Sequence, residues 1–251
     1  MVLNEIKLFK DLNNIKTMIS LEILLKEVVQ VGHQSSLLVR SFLNGTESKL
    51  DSSLDTVVGL HGYSARRFTL SGLGHHLEKN RFNVKLINYN FWYPIDKTTP
   101  KLIDQIDDIT QKTGKRVKLL GHSQGGVLSI DIGQQRPDLV QTVIALGPPL
   151  KGTHTAYLNY PIPSCRQMTP NNSYCKELLD RDFPKEVDFY SIYSPFDQVI
   201  RPWHSALLPE GYTHLKNIYV DNVGHLGLIG PKCYDLVERL LRERVYSKPT
   251  L

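Results

Sequence analysis

The stretch Gly121-His122-Ser123-Gln124-Gly125-Gly126 decides the fold that this sequence predicts. It follows the β-rich run 116–120 and precedes a helical pattern over 125–135, so Ser123 stands on a sharp turn from strand to helix. Side chains two residues before and after such a strained serine would collide with neighbouring backbone, and glycine at both positions removes them. The turn lifts the Ser123 hydroxyl above the sheet edge at a helix N-terminus, which favours developing negative charge. We therefore expect Ser123 to be a nucleophile.

Short β-rich runs alternate with helical patterns on both sides of this turn. Strands are predicted over 56–60, 83–89, 116–120, 140–146, 187–193 and 217–223, and helices over 71–79, 100–113, 125–135 and 235–245. Strands that alternate with helices of this length are typical of a mostly parallel α/β sheet with helices on both faces. Ligands bind at the carboxyl ends of the strands in such sheets, so we expect the chemistry there.

The first 53 residues are predicted to be an appendage to this sheet. Residues 18–31 hold apolar side chains at helical spacing, interrupted by charges, and residues 44–53 are polar and loop-like. The interpretation is an N-terminal helix with a linker over 1–53, followed by one catalytic domain over 54–251.

Composition excludes several classes of protein. The chain has 251 residues, 30 Lys+Arg against 25 Asp+Glu, and 41% hydrophobic residues, which rules out collagen and a disordered chain. The net charge of +5 is mild and scattered, so nucleic acid is not an expected partner. No stretch has the uninterrupted apolar core of a signal peptide or a membrane span, which leaves the compartment open between the cytoplasm and a non-classical export route.

A serine nucleophile needs a base, and the base needs an orienting carboxylate, in the chain order Ser, acid, His. His225, between glycines 224 and 227, follows the last predicted strand and is the expected base. His204 and His214 are interpreted as solvated loop residues. Asp197 follows the carboxyl end of a strand in a turn and is the expected acid. The other aspartates after Ser123 are assigned elsewhere: Asp131 and Asp138 to the helix after the turn, Asp180 and Asp182 to a solvated charged run, Asp188 to the wrong sheet edge, and Asp221 to the last strand.

A tetrahedral intermediate needs two preorganised N–H donors. The residue after the nucleophile supplies one, the Gln124 N–H, and the loop after the first strand supplies the other, the Tyr63 N–H. Gly62 lets this backbone approach, and His61 is interpreted as a loop-ordering residue. Phe91 and Trp92 follow a strand and are candidate substrate-binding residues, with a packed surface loop as an equal alternative.

Three cysteines are too few for a disulfide scaffold. Cys165 and Cys175 are ten residues apart and could bridge a loop, with Cys233 left over, but three free thiols are an equal alternative. No Cys/His spacing suits a metal, so no metal ligand is predicted.

Together, the His61-Gly62 pair, the turn at 121–126, the segment 190–197 and the Val-Gly-His-Leu-Gly-Leu run at 223–228 resemble the α/β-hydrolase superfamily, and more closely small bacterial lipases and esterases of the Bacillus lipase A type. The resemblance covers about 56–241. It implies a serine ester hydrolase with Ser123, Asp197 and His225 as its triad, the backbones of Tyr63 and Gln124 as its oxyanion hole, and no cofactor. Gln124 departs from the Met common in these lipases.

The resemblance implies a lipid or small ester as substrate, with triacylglycerol or phospholipid esters as the expected class. The alternatives are a carboxylesterase or thioesterase, an acyltransferase, and a non-catalytic binding protein with a hydrolase fold. The basic excess hints at transient contact with an anionic lipid surface. No stable protein partner is expected, and the twelve residues 153–164 are short for a lid that opens at an interface.

Overall fold

The computed structural model of the protein describes residues 50–243. The predicted N-terminal helix over 18–31 and the end of the predicted closing helix beyond Glu243 therefore lie outside the described residues. Within residues 50–243, no helix is both long enough and apolar enough to cross a lipid bilayer.

Six parallel strands form one sheet in the order β2-β1-β3-β4-β5-β6. The strands are β1 (Thr56–Leu60), β2 (Asn83–Ile87), β3 (Val117–His122), β4 (Val140–Leu146), β5 (Asp188–Tyr193) and β6 (Leu215–Tyr219). The α-helices are α1 (Ser71–Lys79), α2 (Ile95–Thr113), α3 (Gln124–Gln135), α4 (Pro163–Gln167), α5 (Ser173–Asp180) and α6 (Tyr234–Arg242). The predicted fold class, a parallel α/β sheet of about six strands, is confirmed.

Helices cover both faces of the sheet because successive strand residues point to opposite sides. On one face, Leu73 of α1 and Leu240 of α6 pack with Val57 of β1. On the other face, Ile106 of α2 and Val127 of α3 pack with Val58 of β1. Since both faces are buried, the central strands are apolar at nearly every position rather than at alternate ones.

The strand order reverses next to β1, and this places a crevice at the carboxyl edge. From β1 the chain crosses to β2 at one end of the sheet and then returns to β3 on the other side of β1. The loop after β1 leads to α1 on one face, whereas β3 leads directly to α3 on the other face. Loops that diverge in this way leave a binding crevice between them.

Helix α2 begins five residues before the predicted start at Pro100. Pro94 is the N-cap, Ile95 is buried, and its N–H donates to Gln167 Oε1 over 2.5 Å. The contact with α4 therefore stabilises an earlier start, and Pro100 lies within the helix.

The segment between β4 and β5 is an insertion that holds a short 3₁₀ helix (His154–Asn159), α4 and α5. It is anchored by the buried carboxylate of Asp131 on α3, which accepts hydrogen bonds from Thr99 Oγ1 (2.6 Å) and Tyr174 OH (3.0 Å). Arg181 Nη1 lies 2.8 Å from the same carboxylate. The charged run 180–182 is thus not wholly solvated, because its arginine reaches back to α3.

Two further predictions near the end of the sheet were wrong. His214 is buried rather than solvated, and its Nε2 lies 3.0 Å from the Phe183 carbonyl oxygen. Asp221 lies beyond β6 rather than within a strand, because pairing with β5 begins at Leu215 and ends at Tyr219.

Candidate active site

Ser123 occupies a strained turn at the carboxyl end of β3. Its backbone has φ +55° and ψ −120°, a conformation that residues other than glycine rarely adopt. A Cβ at Gly121 would overlap the Gly125 carbonyl group, and a Cβ at Gly125 would overlap the Leu60 carbonyl group. The two glycines are therefore required by backbone contact, and Ser123 lies one residue before α3.

Asp197 and His225 form a buried pair on the loops after β5 and β6. His225 Nδ1 lies 2.7 Å from Asp197 Oδ2, and each residue is less than 7% exposed. Asp197 Oδ1 accepts the backbone N–H groups of Val199 and Ile200, each over 2.8 Å. Burial acts to raise the pKa of Asp197, but the charge and hydrogen bond of His225 and these two N–H donors outweigh it, and the net effect lowers that pKa. The carboxylate is therefore ionised and held in one orientation.

His122, one residue before Ser123, connects the turn to His225. Its ring centroid lies 4.6 Å from that of His225, and its Nε2 donates to the His225 carbonyl oxygen over 3.1 Å. Burial lowers the pKa of His122 to about 3, with the charge of His225 as the next cause. His122 is thus neutral and fixes the backbone of the histidine that bonds to Asp197.

Two glycines allow the loops to close around these side chains. A Cβ at Gly62 would lie 3.1 Å from Ser123 Cβ, so the loop after β1 touches the serine. Gly147, at the end of β4, has φ +56°, and a Cβ there would lie 3.0 Å from Asp197 Oδ2 and 3.3 Å from His225 Nδ1. The predicted site residues of the β1, β3, β5 and β6 loops are therefore brought together at one edge of the sheet.

His61 orients the peptide that carries the Tyr63 N–H. Its Nδ1 lies 2.9 Å from the Gly62 carbonyl oxygen, and its Nε2 accepts the Tyr89 N–H over 3.4 Å. The Tyr89 ring stacks on the imidazole at 4.3 Å. A carbonyl and the following N–H point in opposite directions across a planar trans peptide. Holding the Gly62 carbonyl on His61 therefore turns the Tyr63 N–H the other way.

Gln124 and Phe91 line the same edge. Gln124 is the first residue of α3, so its N–H has no acceptor within the helix. Its side-chain Nε2 donates to the Phe91 carbonyl oxygen over 3.3 Å. The Phe91 ring packs edge-on against Tyr63 at 5.2 Å, while Trp92 stacks on Phe91 and is 55% exposed. Phe91 thus borders Tyr63, the predicted oxyanion-hole residue, and Trp92 lies further out.

All three cysteines are buried free thiols, so the alternative of a bridge between Cys165 and Cys175 is not formed. Burial raises the pKa of Cys175 to about 12 and that of Cys233 to about 11. The Tyr63 hydroxyl hydrogen-bonds to Cys165, and burial together with this contact raises the pKa of Tyr63 to about 12.

One group of metal-ligand side chains occurs in residues 50–243, and it lies away from this edge, where α1 meets α6. The ligand atoms of His76, Asp235 and Glu238 are within 4.8 Å of one another. These groups already pair with each other: His76 Nε2 lies 2.9 Å from Glu238 Oε2, and Arg242 Nε lies 3.1 Å from Glu238 Oε1.

Solved structures of other proteins share this architecture. The lipase BlEst2 of Bacillus licheniformis, in its mature form, matches with a TM-score of 0.66, covering 77% of this chain and 94% of its own length at 15% identity. The chain has the α/β-hydrolase fold. Lipase B of Aspergillus fumigatus matches with a TM-score of 0.70 at 19% identity over 79% of this chain, and this chain spans only 55% of that lipase.

A monoacylglycerol lipase of Paleococcus ferrophilus has the same α/β-hydrolase fold, with a TM-score of 0.58 at 14% identity, covering 74% of this chain and 91% of its own length. No protein-family model matches the sequence. At these identities the likeness establishes the fold.

Sequence reasoning missed three contributors to this candidate site. His122 was treated only as a residue of the turn, Gln198 Oε1 accepts the His225 N–H over 3.2 Å, and Gly147 lies against the Asp–His pair. Gln198 directly follows Asp197, and Gly147 directly follows β4, so placement after a strand was the available signal. The contact of His122 with His225 joins residues 103 positions apart, which no local pattern indicates.

Proposed function

We propose that the chain is a serine hydrolase of carboxylic esters, with Ser123 as nucleophile, His225 as general base and Asp197 as the carboxylate that orients it. The carrying observation is the 2.7 Å hydrogen bond between His225 Nδ1 and Asp197 Oδ2 at the edge that holds the strained Ser123. We assign this chemistry to residues 54–251, with 1–53 as an appendage.

In the proposed mechanism, His225 Nε2 takes the proton of Ser123 Oγ as the oxygen attacks the ester carbonyl carbon. Asp197 holds the Nδ1 proton and stabilises the imidazolium that forms. The N–H groups of Tyr63 and Gln124 bind the oxyanion of the tetrahedral intermediate. His225 then gives its proton to the leaving alcohol, and a water attacks the acyl-enzyme along the same route in reverse.

We propose lipid esters as the substrate class. The named neighbours include lipases and a monoacylglycerol lipase, and the aromatic rings of Tyr63 and Phe91 pack together in the loops after β1 and β2. A carboxylesterase or thioesterase that acts on small or protein-bound acyl groups is the main alternative within the same chemistry. No cofactor is proposed, and Trp92 is proposed as an outer contact for substrate rather than part of the inner site.

The test is a series of p-nitrophenyl esters of increasing acyl length, with Ser123→Ala as the blank. We expect Ser123→Ala to lose hydrolysis by roughly six orders of magnitude in kcat. Preference for long chains, rising above the solubility limit, supports a lipase, and preference for acetate or butyrate supports an esterase. Full activity in Ser123→Ala contradicts the proposal.

Two further measurements separate the remaining alternatives. Labelling of the wild-type chain, but not of Ser123→Ala, by a fluorophosphonate excludes a non-catalytic binding protein. The ratio of transesterification to hydrolysis with added alcohol identifies an acyltransferase, because such an enzyme must exclude water from its acyl-enzyme.

A further inference from the structure

Exposed aromatic and aliphatic side chains gather at the carboxyl edge of the sheet. Five of the seven large apolar side chains exposed in residues 50–243 lie on two segments there, the loop after β2 and the insertion after β4. We call them the aromatic rim: Trp92, Tyr93, Tyr157, Leu158 and Tyr160. Leu158 is 83% exposed, and it lies in the chain between Tyr157 and Tyr160, whose rings stack 6.1 Å apart.

The two segments of the aromatic rim are joined to each other and to the proposed site. Gln167 of the insertion binds the Ile95 N–H through Oε1 and the Asp96 carboxylate through Nε2, over 2.5 and 2.6 Å. The start of the insertion is bonded to the loop after β5, which carries Asp197. Thr153 Oγ1 and Thr155 Oγ1 each donate to the Val199 carbonyl oxygen of that loop over 2.7 Å. The rim therefore flanks the loops that carry the Asp–His pair and the predicted oxyanion-hole residue.

Positive charge is concentrated around the aromatic rim. The edge segments 61–70, 90–101, 151–167 and 197–206 hold seven of the 30 basic residues and two of the 25 acidic ones, so the rest of the chain has 23 of each. One of the two acidic residues is the buried Asp197, and the other, Asp96, lies 3.6 Å from Lys97. All seven basic residues are exposed: Arg66, Arg67, Lys97, Lys101, Lys151, Arg166 and Arg201. The loop after β6, at the far end of the sheet from β2, adds one carboxylate, Asp221.

We propose that this edge docks onto an anionic lipid surface, with the aromatic rim entering the headgroup region and the basic residues contacting the lipid phosphates. Aromatic side chains favour the membrane–water boundary, and each nearby Lys or Arg strengthens attraction to anionic lipid. Docking at this edge presents the proposed site to an ester that stays in its lipid layer. The delivery of substrate rests on the proposed ester hydrolase function, whereas the docking itself does not.

Charge argues against two other occupants of this edge, the segment 1–49 of the same chain and a second copy of the protein. Residues 1–49 hold six basic and five acidic residues, so they cannot neutralise the basic edge. A second copy that met the same edge face to face would place like charges together, which is unfavourable. An anionic surface is the partner whose charge is complementary.

The test is cosedimentation of the full chain with vesicles of phosphatidylcholine alone or mixed with phosphatidylglycerol, at low and high salt. We expect binding to the mixed vesicles at low salt and its loss at high salt. The double variant Arg66→Gln/Arg67→Gln should lower the partition coefficient about 25-fold, at roughly fivefold per charge. The matched control is Lys79→Gln/Lys112→Gln, which removes two exposed charges at the C-terminal ends of α1 and α2, on the opposite edge, and should bind like the wild type.

A second variant tests the apolar part of the rim. Leu158→Ser should weaken vesicle binding about tenfold without loss of thermal stability, because Leu158 is 83% exposed. Equal effects of the edge and control pairs, or equal binding to both vesicle types, would overturn the proposal. A wild-type dimer that Leu158→Ser dissociates would also overturn it, because a second copy would then be the occupant. So would unchanged vesicle binding in Leu158→Ser together with faster proteolysis within residues 1–49, because that segment would then be the occupant.

The outcomes for docking and for the proposed function are distinguishable. Vesicle binding is measured on Ser123→Ala, which does not turn lipid over, and hydrolysis of a soluble short ester is measured on the edge variants. Normal soluble hydrolysis with wild-type vesicle binding in Arg66→Gln/Arg67→Gln sinks the docking proposal alone. The converse result is that Arg66→Gln/Arg67→Gln loses vesicle binding while Ser123→Ala keeps hydrolysis of the soluble ester. That result contradicts the ester hydrolase proposal alone.

Discussion

The substitution Asp197→Asn tests the proposed triad most sharply, because the surrounding backbone dictates how the new amide must lie. Asp197 Oδ1 accepts two N–H groups, from Val199 and Ile200, each over 2.8 Å. An asparagine must keep its oxygen there, since its NH₂ group cannot accept a hydrogen bond. The NH₂ group then takes the Oδ2 position, 2.7 Å from His225 Nδ1.

That arrangement selects the wrong tautomer of His225. A donor facing Nδ1 requires a lone pair on Nδ1, so the ring proton moves to Nε2, the nitrogen that must accept the serine proton. We expect kcat to fall about 10⁴-fold, as it does when the triad carboxylate of a serine protease is changed in this way. That loss corresponds to about 5.5 kcal/mol of transition-state stabilisation.

The assay is steady-state hydrolysis of a soluble p-nitrophenyl ester, with thermal unfolding as the control for folding. Asp221→Asn, on the next loop, is the matched substitution and should keep wild-type kcat. A kcat for Asp197→Asn within tenfold of the wild type, in a folded protein, would falsify the assignment of Asp197 as the orienting acid.

Four further predictions follow from contacts already described. Gly125→Ala should unfold the chain or lower its stability by at least 3 kcal/mol, because the new Cβ meets the Leu60 carbonyl group, whereas Gly114→Ala, at φ +69° with open space, should cost about 1 kcal/mol by chemical denaturation. Asp131→Ala should lower the melting temperature by roughly 6–12 °C in calorimetry, since it leaves the hydroxyls of Thr99 and Tyr174 without their acceptor. His61→Ala should lower kcat by about 10²-fold in the folded protein with little change in KM, because the Tyr63 N–H loses its orientation; a change confined to KM would contradict this. The folded-state pKa of Asp197 lies below its ordinary value of 3.8, so its carboxylate stabilises the fold above pH 3.8, and this stability is lost as the pH falls through the lowered pKa. Asp197→Asn should therefore lose less stability than the wild type between about pH 5 and pH 2 in acid titrations.

Local sequence was sufficient to predict the sheet, and it placed the candidate site residues at one edge of that sheet, where the structure brings them together. The run Thr56–Leu60 and the helix Ser71–Lys79 agree with the structure residue for residue. The strand is a short run buried at every position, and the helix has Leu73 and Leu77 four residues apart on its buried face. The glycines at 121 and 125 indicated the turn because backbone crowding there tolerates no side chain. Asp197 and His225 were predicted to meet because parallel strands deliver their carboxyl ends to one edge, and the structure pairs them.

Long-range contacts account for what the sequence could not predict. Nothing local distinguishes the buried His214 from the exposed His204, since the Phe183 carbonyl that binds His214 lies 31 positions away. The arginine of the run 180–182 looked solvated because its partner Asp131 lies on a different helix. Helix α2 starts at Ile95 because α4 supplies the acceptor for its first N–H. In each case the deciding partner came from another element.

The three buried thiols can serve as native probes of local opening. Cys165 lies on α4, Cys175 lies on α5 and Cys233 lies directly before α6, and none can react with an alkylating reagent until its surroundings open. The rate at which each sulfur is modified in the native state therefore times the opening of its own part of the chain. Comparing the modification rates of Cys165 and Cys175 with that of Cys233 distinguishes opening of the insertion from opening of the segment that follows His225. No engineered cysteine is needed for this comparison.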